Sequence, residues 1–167
     1  MSASHLSGPL YSTSGLITGA PVAVTAATLA VTADVHGGNT TVLSLAAGQA
    51  VTLPAASGSG VEYTFVIGIS VTGSTTIKVA NALDFFIGRD FAVTDTSGAL
   101  IGFIAVNSGT VATNSDTITL NGTTKGGLIG DTIVVKDVAS TSTTGVWQLK
   151  MFSSTTGVSV TPLSATV

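Results

Sequence analysis

The stretch VTLPAASGSGVEYTFVIGISVTGSTTIKVA, Val51 to Ala80, decides how the rest of the chain is read. Tyr63, Phe65, Ile67, Ile69 and Val71 fall at every second position, with Glu62, Thr64, Gly68, Ser70 and Thr72 between them. That is the period of a strand with one buried face. The cluster Pro54 to Gly60 stops whatever precedes it, and Thr72-Gly73-Ser74 breaks the chain before a second extended piece, Thr75 to Ala80. The pattern predicts the central strand of a sheet, tied by a tight connection to a second strand as a hairpin. Burying the five apolar side chains stabilises by on the order of 10 kcal/mol, and ordering about ten residues costs a similar amount. Such a hairpin needs a second sheet, or a neighbouring subunit, over its apolar face.

Composition narrows the classes. A chain of 167 residues supports one core rather than two. Only 8% of residues are charged, far below the usual quarter, so hydroxyls from 28 Thr and 19 Ser must wet much of the surface. Thr also favours strands, and the 20 Gly serve turns. Apolar residues are dispersed, with no uninterrupted run of about 18 that would span a bilayer as a helix. The N-terminus, MSASHLSGPLYSTSG, carries neither a basic segment nor a continuous apolar one, which argues against a standard secretion signal. With no cysteine there is no disulfide, thiolate nucleophile or cysteine-held metal. The net charge is −3 and the basic residues Lys78, Arg89, Lys125, Lys136 and Lys150 are scattered, which argues against nucleic-acid binding.

Residues 1–20 read as an extended arm, because Leu6, Pro9, Leu10, Tyr11, Leu16 and Ile17 follow neither a helical nor a strand period. Residues 21–167 read as a single β-sandwich domain. Pro21 to Val35 predicts two short strands, with Leu29, Val31, Ala33 and Val35 on one face of the second. Leu43, Leu45, Ala47, Val51 and Leu53 continue the alternation past Gly48-Gln49. Asp95 to Gly98 is a turn, Leu100 to Val106 a strand, and Asn121-Gly122 a hairpin signal after Asp116 to Leu120. In Val146 to Phe152, Trp147, Leu149 and Met151 point one way and Gln148 and Lys150 the other, while Pro162 confines the last segment to an edge. Eight or more short strands without a helical stretch predict an all-β sandwich, jelly-roll-like, and no long internal repeat argues for a solenoid.

The residues that could carry chemistry are few. No Gly-x-Ser-x-Gly elbow occurs, and His5 and His36 have no evident partners. Asp131 and Asp137 lie six residues apart, about 20 Å at strand rise, too far for a paired-carboxylate mechanism within one strand. Asp84, Asp90 and Asp95 are separated by Phe85, Phe86, Ile87 and Phe91 and lack an EF-hand pattern, so turn capping is the favoured reading. The glycine pairs at Gly58-Ser-Gly60 and Gly126-Gly127 do not open a phosphate-binding helix. Catalytic, cofactor and metal residues are therefore expected to be none.

The segments Val51 to Gly60, Ile77 to Asn81, Ile118 to Gly127, Gly130-Asp131, Trp147 and Thr161 to Ser164 together resemble the small β-rich virion proteins of tailed bacteriophages, the head decoration or cement proteins. The resemblance covers most of Gly48 to Ser164 and rests on Gly, Thr and Asn turns rather than on an active-site signature. It implies a non-catalytic homotrimer, made in the host cytoplasm, that binds the major capsid protein on the outside of the virion and clamps neighbouring subunits. The arm residues Leu6, Pro9, Tyr11, Leu16 and Ile17 are then the expected capsid contacts. A head-fibre or tail-associated module that binds host surface glycans is the alternative.

Overall fold

The computed structural model describes residues 20–108, 110–140 and 144–167. The expected contacts Leu6, Pro9, Tyr11, Leu16 and Ile17 lie outside the described residues. Among the described residues twelve strands form: β1 (Val22–Val24), β2 (Thr28–Ala30), β3 (Thr40–Leu43), β4 (Ala50–Thr52), β5 (Glu62–Ile67) and β6 (Thr75–Lys78) in the first half. The second half supplies β7 (Asp84–Thr94), β8 (Leu100–Ile104), β9 (Thr117–Leu120), β10 (Thr132–Ser140), β11 (Gly145–Thr155) and β12 (Leu163–Ser164). They make a sandwich of two sheets, seven strands in the order β1-β3-β5-β10-β11-β7-β8 and five in the order β12-β9-β6-β4-β2. The all-β sandwich is thus the architecture.

The winding is not the expected one. β5 and β6 are not a hairpin, because β5 lies inside the seven-stranded sheet and β6 inside the five-stranded one. The first six strands alternate between the sheets, and each runs parallel to the strand two before it, β1 to β3 to β5 in one sheet and β2 to β4 to β6 in the other. This is a three-turn parallel coil, a short solenoid that the sequence reading had set aside. Its period was hidden by unequal corners: Val22, Thr41 and Phe65 stack at spacings of 19 and 24 residues, and Leu29, Val51 and Ile77 at 22 and 26. Asn121-Gly122 is likewise no hairpin turn, since β9 and β10 belong to different sheets. Instead the Asn121 side-chain oxygen accepts the amides of Thr123, Thr124 and Lys125, shaping the crossing between sheets.

The corners explain how a coil can form without helical crossovers. Gly48 has φ 99°, and a Cβ there would lie 2.0 Å from the Ser74 carbonyl oxygen. A Cβ on Gly73 would lie 2.1 Å from the Ala47 carbonyl oxygen. Successive corners therefore stack backbone on backbone, which only glycine permits. Gln49, 2% exposed, donates its side-chain amide to the carbonyls of Val24 and Ala26 at 3.1 and 2.7 Å, and its backbone N–H to Thr75 Oγ1. One residue thus pins the first corner to the second through its side chain and the second to the third through its main chain.

Between the sheets lies one core, with Tyr63, Phe65, Ile67, Ile133, Val135, Trp147, Leu149 and Met151 meeting Val51, Ile77, Ile118 and Leu120. The alternation in β5 and β11 holds as predicted. It ends earlier than expected at Ile69, which is exposed because the strand stops at Ile67 and the chain turns toward the other sheet. Ala33 and Val35 are exposed as well, since Ala33–His36 forms a single helical turn (α1) in place of more strand. His36 is buried there and its Nδ1 accepts the Thr32 amide, a structural role. β12 is an edge strand, as Pro162 demands.

Replacing Gln49 with Leu removes the tie between corners, strands the Ala26 carbonyl without a partner and leaves the Val24 carbonyl only the Ser44 amide, a loss of about 1 to 3 kcal/mol. Amide exchange should accelerate first in β1 and β2, the outermost turn, while β10 and β11 stay protected. Equal acceleration across all strands would show that the corners do not form a separable layer.

Candidate functional site

The outer face of the seven-stranded sheet is where the molecule departs from an ordinary surface. Along β7 the usual polarity of a sandwich strand is inverted: Asp90, Ala92 and Thr94 turn inward, and Arg89, Phe91 and Val93 turn outward. Register brings β11 alongside in parallel, placing Lys150 beside Arg89, Phe152 beside Phe91 and Ser154 beside Val93. On the other side of β7, β8 sets Ile104, Gly102 and Leu100 against the same three residues. Phe91 and Phe152 stack at 5.8 Å between ring centroids with 23° between planes. Phe152, Leu100 and Ile104 are 63%, 66% and 71% exposed, so the face carries a ridge of large apolar groups bordered by two cations.

Two grooves flank Phe91. One, of about 350 Å³, runs between Phe91, Val93, Leu100 and Phe152 and has Asp131 and Ser153 in its wall. The other, of about 380 Å³, lies among Ile87, Arg89, Gln148 and Lys150. Gly88, with φ 135°, lets β7 approach β11 there, since a Cβ would sit 1.9 Å from the Leu149 carbonyl oxygen.

Beneath the ridge is a small polar layer. Ser153 Oγ donates to the Asp90 carboxylate, with contacts of 2.9 and 3.0 Å to its two oxygens. Burial pushes the Asp90 carboxyl up to about 6; the Ser153 hydroxyl offsets part of this, and the charge of Asp131 adds to it. Asp131 is also raised by burial, opposed by the amides of Gly127, Leu128 and Ser154 that its oxygens accept. At the far end of β10, Asp137 accepts five hydrogen bonds from the amides of Ser57, Gly58 and Ser59 and the hydroxyls of both serines. Burial works to raise Asp137, but these donors together outweigh it and hold the carboxyl below its ordinary value.

The remaining sequence candidates are anchors too. Asp84 accepts the Ala56 amide and the Asn81 side chain, and Asp116 accepts the amides of Thr166 and Val167. Asp131 and Asp137 face different loops, and among the described residues no cluster of three or more His, Asp or Glu is placed to hold a metal ion. The exposed aromatic pair, Phe91 and Phe152, is not among the residues that the sequence singles out. A signal was present: counting by two from Trp147 puts Phe152 on the side of Gln148 and Lys150.

Because the folded Asp90 carboxyl holds its proton to about pH 6 and the unfolded one only to about 4, stability falls as pH rises through that window. Asp90→Asn should flatten the fall and raise the melting temperature at pH 7 by roughly 2 to 8 °C, read by calorimetry at pH 4.5 and 7. A lower melting temperature at pH 7 would contradict the assignment. Compared with known proteins, the chain matches no family model, no curated protein and no solved structure.

Proposed function

We propose that this chain is a non-catalytic virion protein that binds the major capsid protein on the exterior of a tailed-phage head and stabilises the assembled shell. The resemblance in its turns gives the setting, and one observation carries the reading: the apolar ridge of Phe91, Phe152, Val93, Leu100 and Ile104 on an open sheet face. Large exposed apolar patches mark surfaces that another protein covers. A sheet face is flat and stiff, held by backbone ladders on both sides of β7 and β11, so little order is lost on docking. Each copy that binds the assembled shell in preference to free subunits shifts assembly by mass action.

The glycan-binding alternative is less well served by the same residues. Sugar rings stack on the open face of an aromatic side chain. Phe91 and Phe152 are stacked on each other, so each ring already has an aromatic partner on one side.

Co-sedimentation with bare expanded capsids tests the proposal. The intact chain should pellet with capsids, and Phe91→Ser combined with Phe152→Ser should weaken attachment at least about tenfold, since losing two buried aromatic anchors costs 2 kcal/mol or more. Circular dichroism on the variant establishes that the sandwich is intact. Attachment unchanged by the double substitution, or no attachment of the intact chain, would remove the ridge from this role.

A further inference from the structure

We infer that the open edge of β8 is a self-pairing site, at which two copies of the chain join antiparallel about a twofold axis through Gly102. β8 is the last strand of the seven-stranded sheet and reads Leu-Ile-Gly-Phe-Ile, with no charge and no proline. Folded proteins protect such edges with lysines, prolines, bulges or very short strands. The other three edges of this sandwich are short: β1 has three residues and follows Pro21, β2 has three, and β12 has two and follows Pro162. Among the described residues β8 is the one sheet edge that is long, regular and apolar.

The hydrogen-bond phase of β8 fits self-pairing. The Thr94 amide donates to the Ala99 carbonyl and the Ala105 amide to the Gly88 carbonyl, so residues 99, 101, 103 and 105 turn their main chain toward β7. Alternation then turns the N–H and C=O of Leu100, Gly102 and Ile104 toward the open edge. Two such edges, antiparallel with Gly102 facing Gly102, pair Leu100 with Ile104 of the second copy at both ends. Every outward-turned main-chain group on the two strands then finds a partner.

The side chains match under the same operation. On the outer face Leu100 and Ile104 of one copy pack against Ile104 and Leu100 of the other, covering two of the most exposed apolar residues. Among the described residues nothing requires Gly102 to be glycine: a Cβ there meets nothing within 4 Å, and its φ is not left-handed. Across the axis the reason appears. Two facing glycines leave a trough beside Phe91 of each copy, into which the two rings can close. Pairing also joins the two seven-stranded sheets into one surface and doubles the apolar ridge available to a capsid. The inference concerns the free protein and does not depend on the capsid reading.

The chain has no cysteine, so one introduced thiol reports the register directly. In Gly102→Cys the two sulfurs face each other at a Cα spacing of about 5.5 Å, within disulfide reach. In Ile101→Cys each thiol faces Phe103 of the other copy. Under mild oxidation the first variant should give a disulfide-linked pair on a non-reducing gel and the second should not. The unmodified chain should sediment as an even-numbered assembly at about 100 µM, a concentration that populates small interfaces. Leu100→Lys with Ile104→Lys should abolish that association while the far-ultraviolet circular dichroism is unchanged. A monomer or a lone trimer at that concentration, or equal cross-linking of the two cysteine variants, overturns the inference.

Discussion

Three corners of main chain, stacked around Gly48 and Gln49, set where every other element can lie. Parallel neighbours cannot be joined by a tight turn, so each link must travel away from the sheet and return. Here the journey is used: the chain crosses to the opposite sheet, lays down a strand and comes back one layer higher. That solution needs corners that approach to backbone contact, which Gly48 and Gly73 allow, and a polar group to satisfy the carbonyls trapped between them, which Gln49 supplies. Once the coil exists, β5 and β6 offer ready edges to the second half of the chain, β10 on one sheet and β9 on the other.

The scarcity of charge is put to structural use. With only eight acidic residues, five of them, Asp84, Asp90, Asp116, Asp131 and Asp137, are buried, and each holds donors from another part of the chain. Loops rich in Ser, Thr and Gly contain many amides and hydroxyls that would be costly to bury unpaired, and a carboxylate accepts several at once. Asp137 gathers the Ser57–Ser59 loop in this way, and Asp116 fastens the C-terminal residues to β9. These carboxylates anchor loops, and in Asp90 and Asp131 burial outweighs the donors they hold.

Burying polar groups under β7 has its counterpart outside. Since Asp90, Ala92 and Thr94 occupy the inner side, Phe91 and Val93 are turned to solvent, and the parallel register with β11 stacks Phe152 on Phe91. The apolar ridge is thus fixed by the same alternation that builds the core. β8 extends this surface to an edge whose side chains are again apolar, so face and edge together form the largest departure from the hydroxyl-covered surface elsewhere.

The sequence by itself determined that this is an all-β sandwich, because alternation in Tyr63 to Ile67 and in Trp147 to Met151, repeated in eight or more short stretches, supplies a second sheet to cover each apolar side. It also determined which residue would be confined to an edge, since Pro162 lacks a donor for an interior ladder. The coil was not legible, because its corners differ in length and stacking leaves no repeated motif when the contacts are between main-chain atoms. Nor was the ridge: alternation alone would turn Phe91 and Val93 inward and Asp90 outward, and only with the neighbours supplied by β8 and β11 does Phe91 face out and Asp90 in. Pattern fixes the period of a strand, whereas the side it turns to the core is set by what packs against it.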